Sequence, residues 1–360
     1  MAVQLPLGVG APTELLLLRE VVAEDWPDLV SARLRAHEQK ERLASALHRY
    51  NHPDTSIVVF GSLARDEFTQ SSDVDWTLLL DGQADPKHLD VALDITQTLD
   101  ALGTKAPSPG GTFGRFAVGH DLLHRIGGDD DTNRNTTQRI LLLLESAALG
   151  DDAAYSRVIQ SVLRRYVEED AAGGMPELAF KVPRFLLNDI ARYWRTLTVD
   201  FAQKRRLRDR KGWALRTAKL RMSRKLIYAA GLLSCYSCET ELTPEDGESP
   251  HARIARVVAH LAALVRKSPL DIAAGTILRY PSLHGAGRDL FGAYNAFIGI
   301  LDDADKRDRL EALRPEDAAG DPLYGEVHQI GARFQRALFA IFFDQPDTPI
   351  PALTRRYGVF

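Results

Sequence analysis

Apolar residues recur at near-helical spacing through the first 50 positions, where Leu29, Leu34, Leu43 and Leu47 sit between charged neighbours, so this stretch is predicted to be helical. The pattern then changes. Ser56-Ile57-Val58-Val59-Phe60 is a β-branched and aromatic run that ends at Gly61-Ser62, as a buried strand does at a tight turn. Asp73-Val74-Asp75-Trp76-Thr77-Leu78-Leu79-Leu80 alternates and then saturates with apolar residues, which predicts a second strand whose first residues meet solvent at a sheet edge. Residues 86–102 return to helical spacing, and residues 112–123 are the remaining strand candidate. Beyond Asp131 the pattern predicts helices only, at 132–149, 151–168, 179–201, 212–234, 251–266, 286–302 and 322–343. Breaks rich in Gly, Pro and acids fall at 170–176, 242–250 and 314–323. The expected fold class is α+β: a small mixed β-sheet head at residues 1–130 and a large α-helical second domain at 131–360, with a cleft between them.

A length of 360 residues accommodates about two domains, and 45% apolar with 26% charged residues is the composition of a soluble globular protein. The longest apolar runs, Leu15 to Leu18 and Leu141 to Leu144, fall far short of the roughly 20 residues of a membrane span. The N-terminus lacks the basic and apolar regions of a secretory signal, and a bacterial-type cytoplasm is the expected location. Cys235 and Cys238 form a lone C-x-x-C with no second Cys/His pair, so two reduced thiols at a helix end are expected. The net charge of −4 hides one strong asymmetry: Lys204 to Lys225 holds eleven basic residues against one acid, Asp209. There Arg216, Lys219 and Lys225 alternate at helical spacing with Trp213, Leu215, Leu220, Leu226 and Ile227, which predicts a basic face anchored from behind by the core. Such a face binds a triphosphate or a nucleic-acid backbone, or is simply solvated. Tyr193, Trp194 and Trp213 are candidates to stack a base, with core packing expected for at least two of them, Asp129 to Asp131 are expected as a helix N-cap, and His120 and His124 as ordinary polar residues.

The segment Val58 to Trp76 carries the chemistry. It joins a strand, a Gly-Ser turn, a short helix and a D-x-D pair that opens a second strand. Side chains alternate across a strand, so Asp73 and Asp75 are expected side by side on one face, where two carboxylates repel unless a cation joins them. Hard oxygen ligands of this kind suit Mg²⁺, which keeps waters and takes further ligands from substrate phosphates. Gly61 permits close backbone approach, Ser62 and the adjacent amides offer hydrogen bonds to a phosphate, and Arg65 lies one turn further on. Together these residues describe a site for a metal-bound triphosphate.

On these residues the chain resembles the DNA polymerase β-like nucleotidyltransferase superfamily, whose G-S turn and D-h-D pair are spaced as Gly61-Ser62 and Asp73/Asp75 are here. The resemblance spans roughly residues 55–125. Gly-Ser-Leu-Ala-Arg followed by Ser-Asp-Val-Asp is most similar to the bacterial uridylyltransferases that modify nitrogen-signalling proteins, the enzymes that make nucleotide signals in antiviral defence, and the nucleotidyltransferase toxins. It implies attack of an acceptor hydroxyl on the α-phosphorus of a nucleoside triphosphate, with two Mg²⁺ ions (Mn²⁺ as the alternative) held by Asp73, Asp75 and a third carboxylate on a neighbouring strand. Asp121, the only acid in the 112–123 run, is the candidate for that third ligand. Lys219 is the first choice for a lysine on the triphosphate, with Arg216 beside it. The expected acceptor is a nucleotide or oligonucleotide, which would make a signal read by a partner effector protein, because no second regulatory or phosphohydrolase domain is evident. A protein or tRNA acceptor, and a catalytically inert nucleotide- or RNA-binding module, are the alternatives.

Overall fold

The computed structural model describes residues 13–105, 112, 115–172, 182–207, 212–243, 245 and 247–358. Its sheet has four strands, β1 (Thr55–Phe60), β2 (Asp75–Leu80), β3 (Phe116–Val118) and β4 (Ser146–Leu149), in the spatial order β3-β2-β1-β4. β1 runs antiparallel to both β2 and β4, and β3 is parallel to β2. All six residues of β1 are buried because both faces of the sheet are covered, which is why that strand reads as a continuous apolar run. Ile57 and Val59 face one core, and Val58 and Phe60 face the other.

The helices are α1 (Glu14–Val21), α2 (Pro27–Leu47), α3 (Gly61–Ala64), α4 (Lys87–Ala101), α5 (Gly119–His124), α6 (Asn133–Leu144), α7 (Ala153–Ala172) and α8 (Arg184–Leu207). They continue with α9 (Trp213–Lys219), α10 (Lys225–Thr240), α11 (Pro250–Val265), α12 (Pro269–Arg279), α13 (His284–Asp302), α14 (Ala304–Ala312), α15 (Pro322–Phe339) and α16 (Ile350–Leu353). A small core on one side of the sheet takes Leu43 and Leu47 of α2 with Ile95 and Leu99 of α4. On the other side, α7 presents Val158 and Val162 to a much larger core that continues through α8, α10, α12 and α13. The fold is α+β, a small mixed sheet with a large helical part.

Several elements differ from the sequence expectation. Within the 112–123 run, residues 113–114 lie outside the described residues, 116–118 form the short edge strand β3, and 119–124 turn into α5. The predicted helix at 132–149 ends at Leu144 and gives way to β4, so the sheet draws a strand from beyond residue 130. The N-terminal helices lean on the helical part as well: the Asn295 side chain of α13 accepts hydrogen bonds from the amides of Asp28 and Leu29 at 2.9 and 3.1 Å, and Asp271 of α12 accepts one from the Leu15 amide. Thr132, not the acid run, caps α6 by accepting from the Asn135 amide. Asp131 is buried instead in a cluster with Arg139, whose guanidinium is fully enclosed and donates to Asp131, Asp189 and the Tyr166 hydroxyl. Cys235 and Cys238 are free and buried inside α10, where burial pushes both thiols well above the ordinary range. Among the described residues, no helix is long and apolar enough to cross a membrane.

Candidate active site

The site forms where three strand ends meet. Phe60, the last residue of β1, pairs with Asp75 at the start of β2 on one side and with Ser146 at the start of β4 on the other. Acids at those two starts therefore flank the turn that follows β1. Gly61 opens α3 with φ +69°, a left-handed conformation that disfavours any residue with a Cβ. The space is closed too: a Cβ on Gly61 would lie 3.1 Å from Asp75 Oδ2. The glycine thus lets the backbone turn close against the carboxylate. Ser62 follows on the same turn, partly exposed.

The structure brings Asp73 and Asp75 together, with Asp73 just ahead of β2 and Asp75 its first residue. Among the described residues neither carboxylate has a hydrogen-bonding or ion-pairing side chain. Burial, then repulsion from Asp73 and Glu145, pushes Asp75 up to about 6, although Arg224 and Arg65 pull the other way. A carboxylate pair held at such an energetic disadvantage favours a nearby cation, and its hard oxygen donors fit Mg²⁺. Among the described residues, no three His, Cys, Asp or Glu side chains gather into a ready ligand set.

Arg65 has a different place from the one expected. It is buried and spent on carboxylates: Nε and Nη2 donate to Glu67 Oε2 at 3.1 and 3.0 Å, and Nη1 donates to Glu145 Oε2 at 2.5 Å. It therefore braces the wall of the site and offers no free fork to a phosphate. Glu145, immediately before β4, also accepts from Arg224 Nη1 at 2.6 and 2.8 Å. Burial opposes its charge, yet Arg224 and Arg65 hold its carboxyl below the usual range. Tyr294 of α13 donates to the other oxygen of Glu67 at 2.8 Å. This buried network joins the sheet to the helical part directly behind Asp75.

The loop between α3 and β2 is fastened in the same way. Asp66 adopts φ +61° and pairs with Lys40 at 2.6 Å and Arg33 at 3.3 Å, while Arg33 continues to Asp271. Asp302, at the end of α13, accepts from the Gln70 amide at 3.1 Å and from Arg35 at 2.8 Å. Three residues before Asp73, the chain is thus tied to two helices.

The basic stretch divides rather than forming one face. A π-helical turn at Leu220–Arg224 separates α9 from α10 and shifts the register that regular helical spacing assumes. Lys219 lies within electrostatic reach of Asp73. Burial, then Arg307 of α14, lowers it to about 8, and Asp73 is the carboxylate that works to raise it. Arg224 reaches Glu145, Lys225 donates to Gln335 of α15, and the Arg216 guanidinium folds back toward Gly212, 3.7 Å from where a Cβ would stand. Side chains 204–211, including Arg205 and Arg206, lie outside the described residues. The aromatic candidates pack on protein: Tyr193 is buried, Trp194 stacks on Tyr228 and Trp213 tilts against Tyr324.

Asp121 does not join the pair. It lies in α5, is largely exposed and pairs with Arg125 at 3.0 Å. Val118, three residues earlier, is paired with Leu80, so Asp121 follows the far end of β2, roughly 17 Å along the strand from Asp75 at about 3.3 Å per residue. The correction has a simple cause: β3 is parallel to β2 and ends where β2 ends. Sequence reasoning missed Glu145, Glu67, Arg224 and Arg307. Glu145 alone left a signal, a single acid closing the apolar run Ile140 to Leu144.

Residues 40–105 match the model of the nucleotidyltransferase domain family, and this agrees with the DNA polymerase β-like superfamily expected from the motif. No curated protein and no solved structure matches the chain.

Proposed function

We propose, from a nucleotidyltransferase domain at residues 40–105, that the protein transfers a nucleoside monophosphate from a nucleoside or deoxynucleoside triphosphate to an acceptor hydroxyl and releases pyrophosphate. The observation that carries this reading is the Asp73/Asp75 pair, with Asp75 packed against a left-handed Gly61 at the end of β1. Asp73 and Asp75 would hold Mg²⁺, or Mn²⁺, arriving with the triphosphate; when bound, such an ion neutralises phosphate charge and lowers the pKa of the attacking hydroxyl. Gly61 lets the phosphates approach the backbone, and Ser62 supplies hydrogen bonds to them. Lys219 sits opposite Asp73 to neutralise the leaving pyrophosphate. Arg65, Glu67, Glu145 and Arg224 hold Asp75 and the turn in place, so that little rearrangement accompanies the reaction. Asp121 has no part in this assignment.

For the acceptor we favour a nucleotide or oligonucleotide hydroxyl, which fits a cytoplasmic maker of nucleotide signals in antiviral defence acting on a partner effector. The support is Lys219, whose charge lies within reach of Asp73 and suits an anionic product. The experiment is incubation with each labelled NTP and dNTP plus Mg²⁺, with products resolved by mass. Short oligomers or cyclic species support this acceptor, and labelled protein or tRNA replaces it. Turnover in Asp73→Ala and Asp75→Ala equal to the parent would overturn nucleotidyl transfer itself.

A further inference from the structure

α15 carries an exposed stripe that the site described above does not use. His328, Gln335 and Phe339 recur at seven- and four-residue spacing, which puts them on one face of the helix, and a π-helical turn at Ala340–Asp344 continues the line to Phe343. At about 1.5 Å per residue the stripe is roughly 22 Å long. Phe339 is 50% exposed and Phe343 39%, and their rings stack with centroids 4.9 Å apart and planes 26° apart. Phe342, between them, turns the other way onto Tyr236 of α10. A line of cations from the α9–α10 junction runs beside the stripe. Arg221 and His328 line one small pocket with Thr217, Met222 and Tyr324. One turn further on, Lys225 donates to Gln335, and because that partner is a neutral amide, the bond leaves the ammonium charge unneutralised. Burial, then Arg221, lowers Lys225, in keeping with two cations side by side. Neither stretch contains an acid: residues 219–228 hold Lys219, Arg221, Arg224 and Lys225, and residues 328–343 hold Arg333, which pairs with Asp289, and Arg336. The first acid is Asp344, just past Phe343. The face also adjoins the site, since Arg224, the residue before Lys225, reaches Glu145 behind Asp75.

We propose that this face binds single-stranded nucleic acid, with bases stacked on Phe339 and Phe343 and phosphates passing Lys225 and Arg221. This rests on the nucleotidyl-transfer reading and names a short single strand as its acceptor or product. Exposed aromatic rings beside cations meet both halves of a nucleotide, because every base has a π-face and every linkage a negative charge. An apolar protein segment would cover the two rings and leave Lys225 and Arg221 unanswered. A duplex would satisfy the cations but keeps its bases stacked on one another, so it has none to offer the phenyl rings.

The test is fluorescence anisotropy of the full chain, without NTP, against labelled oligouridylate and oligothymidylate of about eight nucleotides and a duplex of the same length. The parent is expected to bind a single strand at least roughly fivefold more tightly than the duplex. Phe339→Ala combined with Phe343→Ala is expected to weaken strand binding at least roughly tenfold; Phe339→Trp should keep it, and Phe339→Leu, which retains apolar area but has no π-face, should lose it as alanine does. Lys225→Ala should reduce the slope of log affinity against log salt by about 0.7, the loss of one phosphate contact. Parental strand affinity in the double alanine variant or in Phe339→Leu, equal binding of duplex, or no strand binding by the parent overturns the proposal. So does a parent dimer in sedimentation that the double variant splits while strand affinity stays parental, which would give the face to a second copy of the chain. The two readings fail separately: nucleotide transfer with parental strand affinity in the double variant removes the nucleic-acid face alone. Conversely, absence of transfer with every NTP while the parent, but not the double variant, binds a strand removes the nucleotidyl reading and leaves the face.

Discussion

Replacing Asp75 with asparagine should make the ligand-free protein more stable and catalytically dead. The carboxamide is nearly isosteric, and among the described residues the carboxylate has no hydrogen-bonding or ion-pairing partner for the change to break. Burial, with Asp73 and Glu145 close by, raises Asp75 from 3.8 to about 6. A shift of roughly 2 units at about 1.4 kcal/mol each amounts to about 3 kcal/mol of stability lost when the group ionises in the folded state. The unfolded chain releases this proton near pH 4, whereas the folded chain keeps it until about pH 6. The folded state therefore binds more protons across that window, and its stability falls as pH rises through it. Asparagine has no such loss. Urea denaturation followed by tryptophan fluorescence should thus show parent and variant alike near pH 4, and the variant ahead by about 2–3 kcal/mol at pH 7.5. Mg²⁺ with nucleotide should stabilise the parent and not the variant. A variant no more stable than the parent at pH 7.5, or equally stabilised at both pH values, would refute the picture of a strained and unneutralised pair.

Lys219 should titrate within the working range: because it is lowered to about 8, its charge is lost as pH rises through 8, and nucleotide affinity measured by calorimetry should fall above that point. Lys219→Arg should flatten this dependence, and Lys219→Ala should raise the apparent NTP requirement roughly tenfold or more at neutral pH. Glu145→Ala would leave Arg65 and Arg224 facing each other without their shared carboxylate, and denaturant melts should show a loss of about 3–5 kcal/mol. Gly61→Ala must place a Cβ in a left-handed conformation 3.1 Å from Asp75 Oδ2, so transfer assays should show turnover down by at least roughly tenfold in a protein that still folds. Asp121→Asn should turn over like the parent, since its carboxylate only pairs with Arg125 on α5.

What the sequence determined by itself is local. The run Ser56 to Phe60 reads as a buried strand, Gly61-Ser62 as a turn, and Asp75 as the opening of the next strand, which the sequence pattern started two residues early at Asp73, because each of these follows from backbone preferences and side-chain alternation within a few residues. The same reasoning located most of the long helices. It failed for α14, whose composition has no apolar period to detect, and for the register beyond Lys219, where a π-helical turn rotates Arg224 toward Glu145. The partners of each charge were decided by tertiary structure alone. Asp121 and Glu145 are both single acids near apolar stretches, and nothing local distinguishes them. β4 returns antiparallel beside β1 and brings Glu145 to the Gly61 end, whereas β3 runs parallel to β2 and carries Asp121 to the opposite end. Arg65 is held partly by a near neighbour, Glu67, but its remaining donor is taken by Glu145, which arrives 80 residues later. Local geometry is set by neighbours in sequence, but charge pairing acts through space and depends on strand order and helix docking, which no short window of residues encodes.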